Sequence, residues 1–281
     1  MNQSSSLRLD HVIDFYASGY EEMRLSVDTG RLECERTREL LIRFLPSAPA
    51  VVLDVGGGAG AYACWLAKRG YEVHMTDISP VLVERAHAAS NRQPEAPLAS
   101  AAVGDARLLS WTDNTTDAVL LLGPLYHLTA KEDRLRALKE AYRVLKPGGV
   151  LCAVGISRFA SILDGLRTGN LKDQQFAAIV DLDLKDGQHR NPTSNPQYFT
   201  DAYLHLPDQL RHEIEDTGFA VSGMYGIEGP GWIVHNFDEW WANPAHREAL
   251  MKVARSVETE PSIIGVSAHI MVVASKSSQA G

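Results

Sequence analysis

Cysteine is almost absent. Cys34, Cys64 and Cys152 are the only three in 281 residues, too few and too scattered for a disulfide framework or a zinc site, so they read as buried thiols in a reducing compartment. Positive charge is in short supply as well: 27 Lys and Arg stand against 35 Asp and Glu, a net charge of −8. Binding a nucleic-acid polyanion rests on neutralising its phosphates with Lys and Arg, and no basic run offsets the deficit, so nucleic acid is not expected as a partner. No apolar run is long enough to cross a bilayer, and the polar start MNQSSSLRLD lacks the pattern of a signal peptide. There is no internal repeat and no low-complexity tract. The expectation is a cytoplasmic protein with no membrane partner, acting as a monomer or homodimer.

Apolar residues make up 45% of the chain, enough for a large core in one domain or in a domain carrying a cap. The most informative stretch is residues 51–61, VVLDVGGGAGA, where an apolar run holding Asp54 gives way to glycines at 56, 57, 58 and 60 and then to a helix-forming segment. That order reads as a buried strand turning tightly into a helix whose N-terminus faces a ligand. Glycine allows positive φ and close backbone approach there, and the unpaired N–H groups of the helix start suit an anionic or polar group. This is the layout of a nucleotide-type cofactor site. Gly56, Gly58 and Ala61 also fit the dinucleotide fingerprint, with Asp77 about 20 residues on to bind a ribose hydroxyl. A nicotinamide (NAD(P))-dependent oxidoreductase therefore stays open at this point, as does a non-catalytic binding protein on the same fold.

Three further features favour S-adenosylmethionine. Asp54 stands before the first glycine, where a carboxylate can accept from an ammonium but would crowd a pyrophosphate. A second acidic turn, AAVGDARLL, carries Asp105 and Ala106, and a fourth apolar run, AVLLLGPLYHL, ends in Leu122 and Gly123 with Tyr126 and His127 beside them. Taken in order, DxGGGxG, Asp77, GDA and LGPLYHL resemble the four motifs of the class I S-adenosylmethionine-dependent methyltransferases, well over residues 31–160 and loosely elsewhere.

The resemblance implies transfer of a methyl group from S-adenosylmethionine, leaving S-adenosylhomocysteine, to a small-molecule acceptor, as in bacterial enzymes that tailor secondary metabolites. It implies that Gly56, Gly58 and Gly60 line the methionine part of the cofactor, with Asp54 near its amino group. Asp77 would take both ribose hydroxyls and Ile78 would flank the adenine. Asp105 would accept from the adenine amino group while Ala106 supplies a backbone N–H, and Leu122 and Gly123 would pass under the sulfonium. The extra glycine at 57 departs from the pattern and bears on loop stiffness. Because the sulfonium is already activated, a base is optional; His127 is the first candidate for one, or for a cofactor hydrogen bond, and Tyr126 is its alternate and a candidate acceptor contact.

Strand and helix patterns alternate over residues 31–155, which predicts an α/β fold: a Rossmann-like, seven-stranded, mostly parallel sheet with helices on both faces and an antiparallel last strand. Helices are predicted over 31–45, from 61 to 69, after Ser79 with Pro80 in the first turn, and up to Lys146 behind a Thr129/Glu132 capping box. The pattern breaks from 157 to 205, with only a modest helical stretch near 172–181, and is read as an inserted cap. The expected division is a lid over 1–30, a cofactor-binding core over 31–156, the cap over 157–206 and the rest of the core over 207–281.

For the acceptor side, HVIDFYASGYEEMRL resembles a segment that folds over the cofactor in many small-molecule methyltransferases, with Tyr16 as lid residue and Tyr20 second. EGPGWIVHNFDEWW gathers Trp232, His235, Phe237, Trp240 and Trp241. Two readings compete for it: Trp232, His235 and Trp240 wall a flat aromatic or heteroaromatic acceptor, an indole-like ring among them, or the cluster is a satellite core.

Overall fold

The computed structural model describes residues 24–193 and 195–278. In chain order the helices are α1 (Gly30–Phe44), α2 (Ala61–Ala67), α3 (Pro80–Asn91), α4 (Pro124–His127), α5 (Lys131–Val144), α6 (Ala160–Thr168), α7 (Gln174–Asp186), α8 (Pro207–Glu215), α9 (Phe237–Ala242) and α10 (Pro244–Val257). The strands are β1 (Val51–Val55), β2 (Glu72–Asp77), β3 (Ser100–Val103), β4 (Thr116–Leu121), β5 (Leu145–Ser157), β6 (Gln188–His189), β7 (Ala202–His205), β8 (Phe219–Gly226) and β9 (His269–Lys276). The chain divides into two compact units. Of the described residues, the first comprises those up to Leu40, those of 155–210 and Gly223–Met271, and the second Leu41–Val154, Arg211–Ser222 and those from Val272 on.

The second unit holds parallel strands in the order β3-β2-β1-β4-β5. Val52, Leu53, Ala118, Val119, Leu120 and Leu121 are all fully buried, as a parallel sheet covered on both faces requires. Register aligns Asp54 with Met75 on one side and Leu120 on the other, and Asp77 with Val103, so the carboxyl ends of β1 to β4 come out together. Ser79 caps α3, accepting from the Leu82 N–H, and Pro80 occupies the first helical position, as expected.

The expected Thr129/Glu132 capping box does not form. The N-cap of α5 is Ala130, without a side-chain cap bond, and Thr129 instead offers its carbonyl to Arg134. Nor does the helix reach Lys146: Leu145 turns to extended backbone and starts β5, ahead of the Pro-Gly-Gly expected to stop it.

In the first unit the segment 157–206 carries two helices where one modest stretch was expected. Glycines at 165 and 169 hid α6 from a propensity reading. Gly165 has a packing reason: a Cβ there would lie 2.4 Å from the Phe176 ring, so its absence lets α6 and α7 meet. The same segment adds β6 and β7, antiparallel to each other, with β7 parallel to the end of β5, so that among the described residues the sheet has nine strands where seven were expected. Buried Asp183 pairs with His189 at 2.8 Å, and the other ring nitrogen of His189 meets the Tyr198 carbonyl at 2.7 Å. Burial opposes charging that imidazole, yet the Asp183 partnership holds it above the usual histidine range. No described helix is long and apolar enough to cross a membrane.

Candidate functional site

The glycine loop after β1 is shaped by its own backbone bonds. The N–H groups of Gly56 and Gly57 both donate to the Thr76 carbonyl, at 2.7 and 3.3 Å, which ties the loop to β2. Gly56, Gly58 and Gly60 have φ of +71°, +58° and +83°, in the left-handed region that other residues enter only with strain. The three differ in what surrounds them. A Cβ on Gly56 would strike Pro124 at 2.7 Å, whereas one on Gly58 would meet nothing within 4 Å. The Cα side of Gly58 therefore faces open space, as close approach to a ligand requires.

Gly57 is more than a stiffness adjustment. A Cβ there would lie 2.6 Å from Met75 Cγ and 2.8 Å from Asp54 Oδ2, so this position is closed to a side chain unless its buried neighbours move. Asp54 is 1% exposed, and its Oδ2 has no hydrogen-bond partner. Burial, and then the charge of Asp77, raise its carboxyl to about 7. Asp77 is buried too. Its Oδ2 accepts from the Gly58 N–H and its Oδ1 from the Ser79 N–H, both at 2.9 Å. Burial lifts its carboxyl above the usual range, opposed by those two backbone bonds.

Gly123 comes up beside this loop. A Cβ there would lie 3.5 Å from the Gly56 carbonyl oxygen and 3.6 Å from Tyr126 Oη, an ordinary contact. Tyr126 is buried and meets the half-buried His127 edge to face, with ring centres 4.7 Å apart. Ile78, Ala106 and Leu122 are half-buried. Asp54, the glycines, Asp77, Gly123 and Tyr126 thus gather at the carboxyl ends of parallel strands, where open α/β sheets bind ligands.

Asp105 has a partner that sequence reasoning missed. Arg107 donates to both of its oxygens through Nε and Nη2, at 2.6 to 3.1 Å, and reaches Asp133 with Nη1 at 3.0 Å. Although burial pushes the Asp105 carboxyl up, the Arg107 hydrogen bonds hold it below the usual carboxylate range. An adenine amino group would have to share those oxygens with Arg107. The signal was a basic residue two positions after the aspartate.

Of the residues expected on the acceptor side, Tyr126 lies in the second unit, beside the glycine loop, and the others lie in the first unit or outside the described residues. Tyr16 and Tyr20 fall in the latter class. Trp232 is 4% exposed, its Nε1 donates to the Val266 carbonyl at 2.9 Å, and it belongs to a buried cluster with Leu32, Phe237, Trp241, Leu250 and Met251. Trp240 is half-buried against His246, and His235 is exposed in a turn. Elsewhere in that unit Glu33, Glu228 and His269 cluster closely enough to hold a cation. Their charges are already met: Arg24 pairs with Glu33, and Ser267 and His269 bond Glu228 at 2.7 and 2.6 Å.

The sequence signature of a methyltransferase domain matches residues 53–153. Over 235 residues, 82% of this chain and 89% of the relative, the protein is 30% identical to the ubiquinone/menaquinone biosynthesis C-methyltransferase of Acidiphilium cryptum. The chain belongs to the class I S-adenosylmethionine-dependent methyltransferases. Solved structures agree on the fold. A methyltransferase from Methanosarcina mazei superposes with a TM-score of 0.56 at 19% identity, covering 85% of this chain and 97% of that one. One from Mesorhizobium loti gives 0.57 at 16%, covering 87% and 99%.

The cofactor of this methyltransferase, S-adenosylmethionine, fits the residues present. A buried carboxylate oxygen without a donor is costly, and a cationic amino group would supply one to Asp54 Oδ2. The open side of Gly58 leaves room in which a ligand would lie. When bound, the cofactor supplies an activated methyl group on a sulfonium.

Proposed function

We propose that this methyltransferase acts on a small, flat, aromatic or heteroaromatic acceptor in bacterial secondary metabolism, in the cytoplasm, as a monomer or homodimer and without a nucleic-acid or membrane partner. The observation that carries the cofactor side is the partnerless Asp54 Oδ2 beneath a left-handed glycine loop. In this reading Asp54 holds the amino group, Gly56, Gly58 and Gly60 the methionine chain, and Asp77 the ribose hydroxyls through the lone pairs its two backbone bonds leave over. Ile78 packs on the adenine, Asp105 and Ala106 face its edge, and Leu122 and Gly123 line the sulfonium side. The lid role of Tyr16 and the acceptor roles of Tyr20, Tyr126, Trp232, His235 and Trp240 remain part of the proposal.

Methyl transfer asks the chain for alignment and water exclusion more than for acid–base chemistry. Orientation of the two reactants accounts for about 7–11 kcal/mol of barrier lowering in well-ordered sites. Where the acceptor carries a proton, His127 takes it, with Tyr126 as alternate; both sit on the short helix after β4. The relative from A. cryptum is named as a C-methyltransferase of ubiquinone and menaquinone biosynthesis, which supports a ring-bearing acceptor and adds carbon to the nitrogen and oxygen nucleophiles to be tried.

The test is incubation with methyl-labelled S-adenosylmethionine and a panel of aromatic amines, phenols and indoles. Label in at least one aromatic compound is the expected result. A protein that binds S-adenosylhomocysteine tightly, labels none of the panel and labels an aliphatic amine or acid instead would overturn the acceptor class while leaving the enzyme class standing.

A further inference from the structure

Arg134 lies near the start of α5 and is 1% exposed. Its guanidinium divides its donors two ways. Nε and Nη2 fork onto the Glu213 carboxylate at 2.7 and 2.6 Å, and Nη1 donates to the backbone carbonyls of Leu128 and Thr129 at 3.0 and 2.9 Å. Glu213, on α8, is itself 4% exposed. The two carbonyls belong to the link between α4, which carries Tyr126 and His127, and α5.

Neither helix fixes that link firmly. α4 is four residues long, closed by the Leu128 N–H on the Pro124 carbonyl at 2.9 Å, and α5 starts from an alanine without a side-chain cap. A buried ion pair is a weak source of stability, because desolvating both charges offsets their attraction and an apolar pair of the same size is often as stable. What a fork-on-carboxylate pair does supply is direction: with two donors fixed on Glu213, the third nitrogen can point only one way.

We propose that Arg134, held by Glu213, is a positioning residue that fixes the Leu128 and Thr129 carbonyls and, through them, the orientation of Tyr126 and His127 at the end of β4. The inference rests on the role proposed above for that segment in methyl transfer. Lysine would keep the charge but lose the fork, so it could not serve both partners in the same geometry.

The test compares the full chain with two variants. Arg134→Met/Glu213→Leu removes both charges while keeping apolar volume, and Arg134→Lys keeps both charges but loses the fork. The readouts are amide hydrogen exchange and the His127 imidazole NMR signal, assigned by its loss in His127→Asn. In a double variant that still melts cooperatively, amides of 124–130 are expected to exchange at least about tenfold faster. Those of β1 and β5 should keep their rates, and the His127 signal should shift or split. Unchanged exchange at 124–130 with an unchanged His127 signal overturns the proposal. So does equal acceleration throughout the sheet, which would mark a purely structural pair. Should the double variant fail to melt cooperatively, Arg134→Lys carries the same comparison, with at least about threefold faster local exchange expected. Failure of the methyl-transfer reading shows separately, in His127→Asn and Tyr126→Phe variants that keep full activity, and leaves the exchange comparison intact.

Discussion

Asp77 reaches from the end of β2 to the glycine loop, where its Oδ2 accepts from the Gly58 backbone N–H at 2.9 Å. One carboxylate therefore shapes the loop and, in the proposed site, binds the ribose. The two duties share an oxygen, so loop geometry and ribose position are coupled.

Replacing Asp77 should harm both. Asp77→Ala is expected to weaken S-adenosylhomocysteine binding by at least about 1.5–3 kcal/mol, the scale of hydrogen bonds to a charged group, and to lower the melting temperature of the ligand-free protein. Asp77→Asn keeps one acceptor oxygen and should lose less on both counts. Calorimetry showing parental affinity in a folded Asp77→Ala protein would remove this residue from the site.

Asp54 predicts a pH dependence of definite sign. Its carboxyl is raised to about 7, first by burial and then by Asp77, so between about pH 4 and 7 the folded state keeps a proton that the unfolded chain releases. Stability from this group is present at low pH and lost as pH rises toward 7, up to about 4 kcal/mol. Asp54→Asn should consequently be more stable than the parent at pH 8 and equal to it near pH 4. If an ammonium binds the ionised carboxylate, S-adenosylhomocysteine affinity in the parent should climb from pH 5 to 7 and then level off, with proton release visible as buffer-dependent binding heat. A flat profile, or one that falls with pH, would count against the pairing.

The grouping proposed to hold the cofactor was legible because it lies in one local pattern per strand: an acid or a glycine at each carboxyl end, in chain order. The parallel sheet makes those ends coincide, so Asp54, Asp77 and Gly123 meet without further information. What the sequence hid depends on distant partners. Nothing local says that Arg134 will fork onto Glu213 and spend its remaining nitrogen on the Leu128 and Thr129 carbonyls. Glycine was ambiguous for the same reason: Gly165 looked like a helix breaker and is instead the gap that Phe176 fills.

Gly57 and Gly58 separate packing from ligand approach. Gly57→Ala places a methyl within 2.8 Å of Met75 and Asp54 atoms and should lower stability by about 1–3 kcal/mol, as overpacking does. Gly58→Ala has room, but its φ of +58° costs about 1–2 kcal/mol in strain, and the new methyl points where a ligand would lie. Its S-adenosylhomocysteine affinity should therefore fall by more than its stability does. Equal affinity in Gly58→Ala and parent would show that the open side of Gly58 is not the ligand side.

His127 is tested once an acceptor is found. If it takes a proton, His127→Asn should reduce turnover by about 10²-fold or more with cofactor affinity nearly intact. Loss of affinity instead would move it to the donor side, and an acceptor without a labile proton should be methylated almost as fast by the variant as by the parent.

Trp232 tests the acceptor side, where the wall and the satellite-core readings make opposite forecasts. Its ring lies among Leu32, Phe237, Trp241, Leu250 and Met251, and its indole N–H is taken by the Val266 carbonyl. Truncation should then cost about 3–5 kcal/mol, because a buried indole leaves a large cavity and an unpaired carbonyl behind. Trp232→Ala is expected to melt early, while Trp232→Phe, which refills most of the space, recovers part of the loss. His235 is exposed and Trp240 half-buried, so alanine there should leave the melting temperature close to that of the parent, and any rise in acceptor KM at those positions would report contact with the acceptor itself. A Trp232→Ala protein of parental stability with a raised acceptor KM would overturn the core reading and make Trp232 part of the wall.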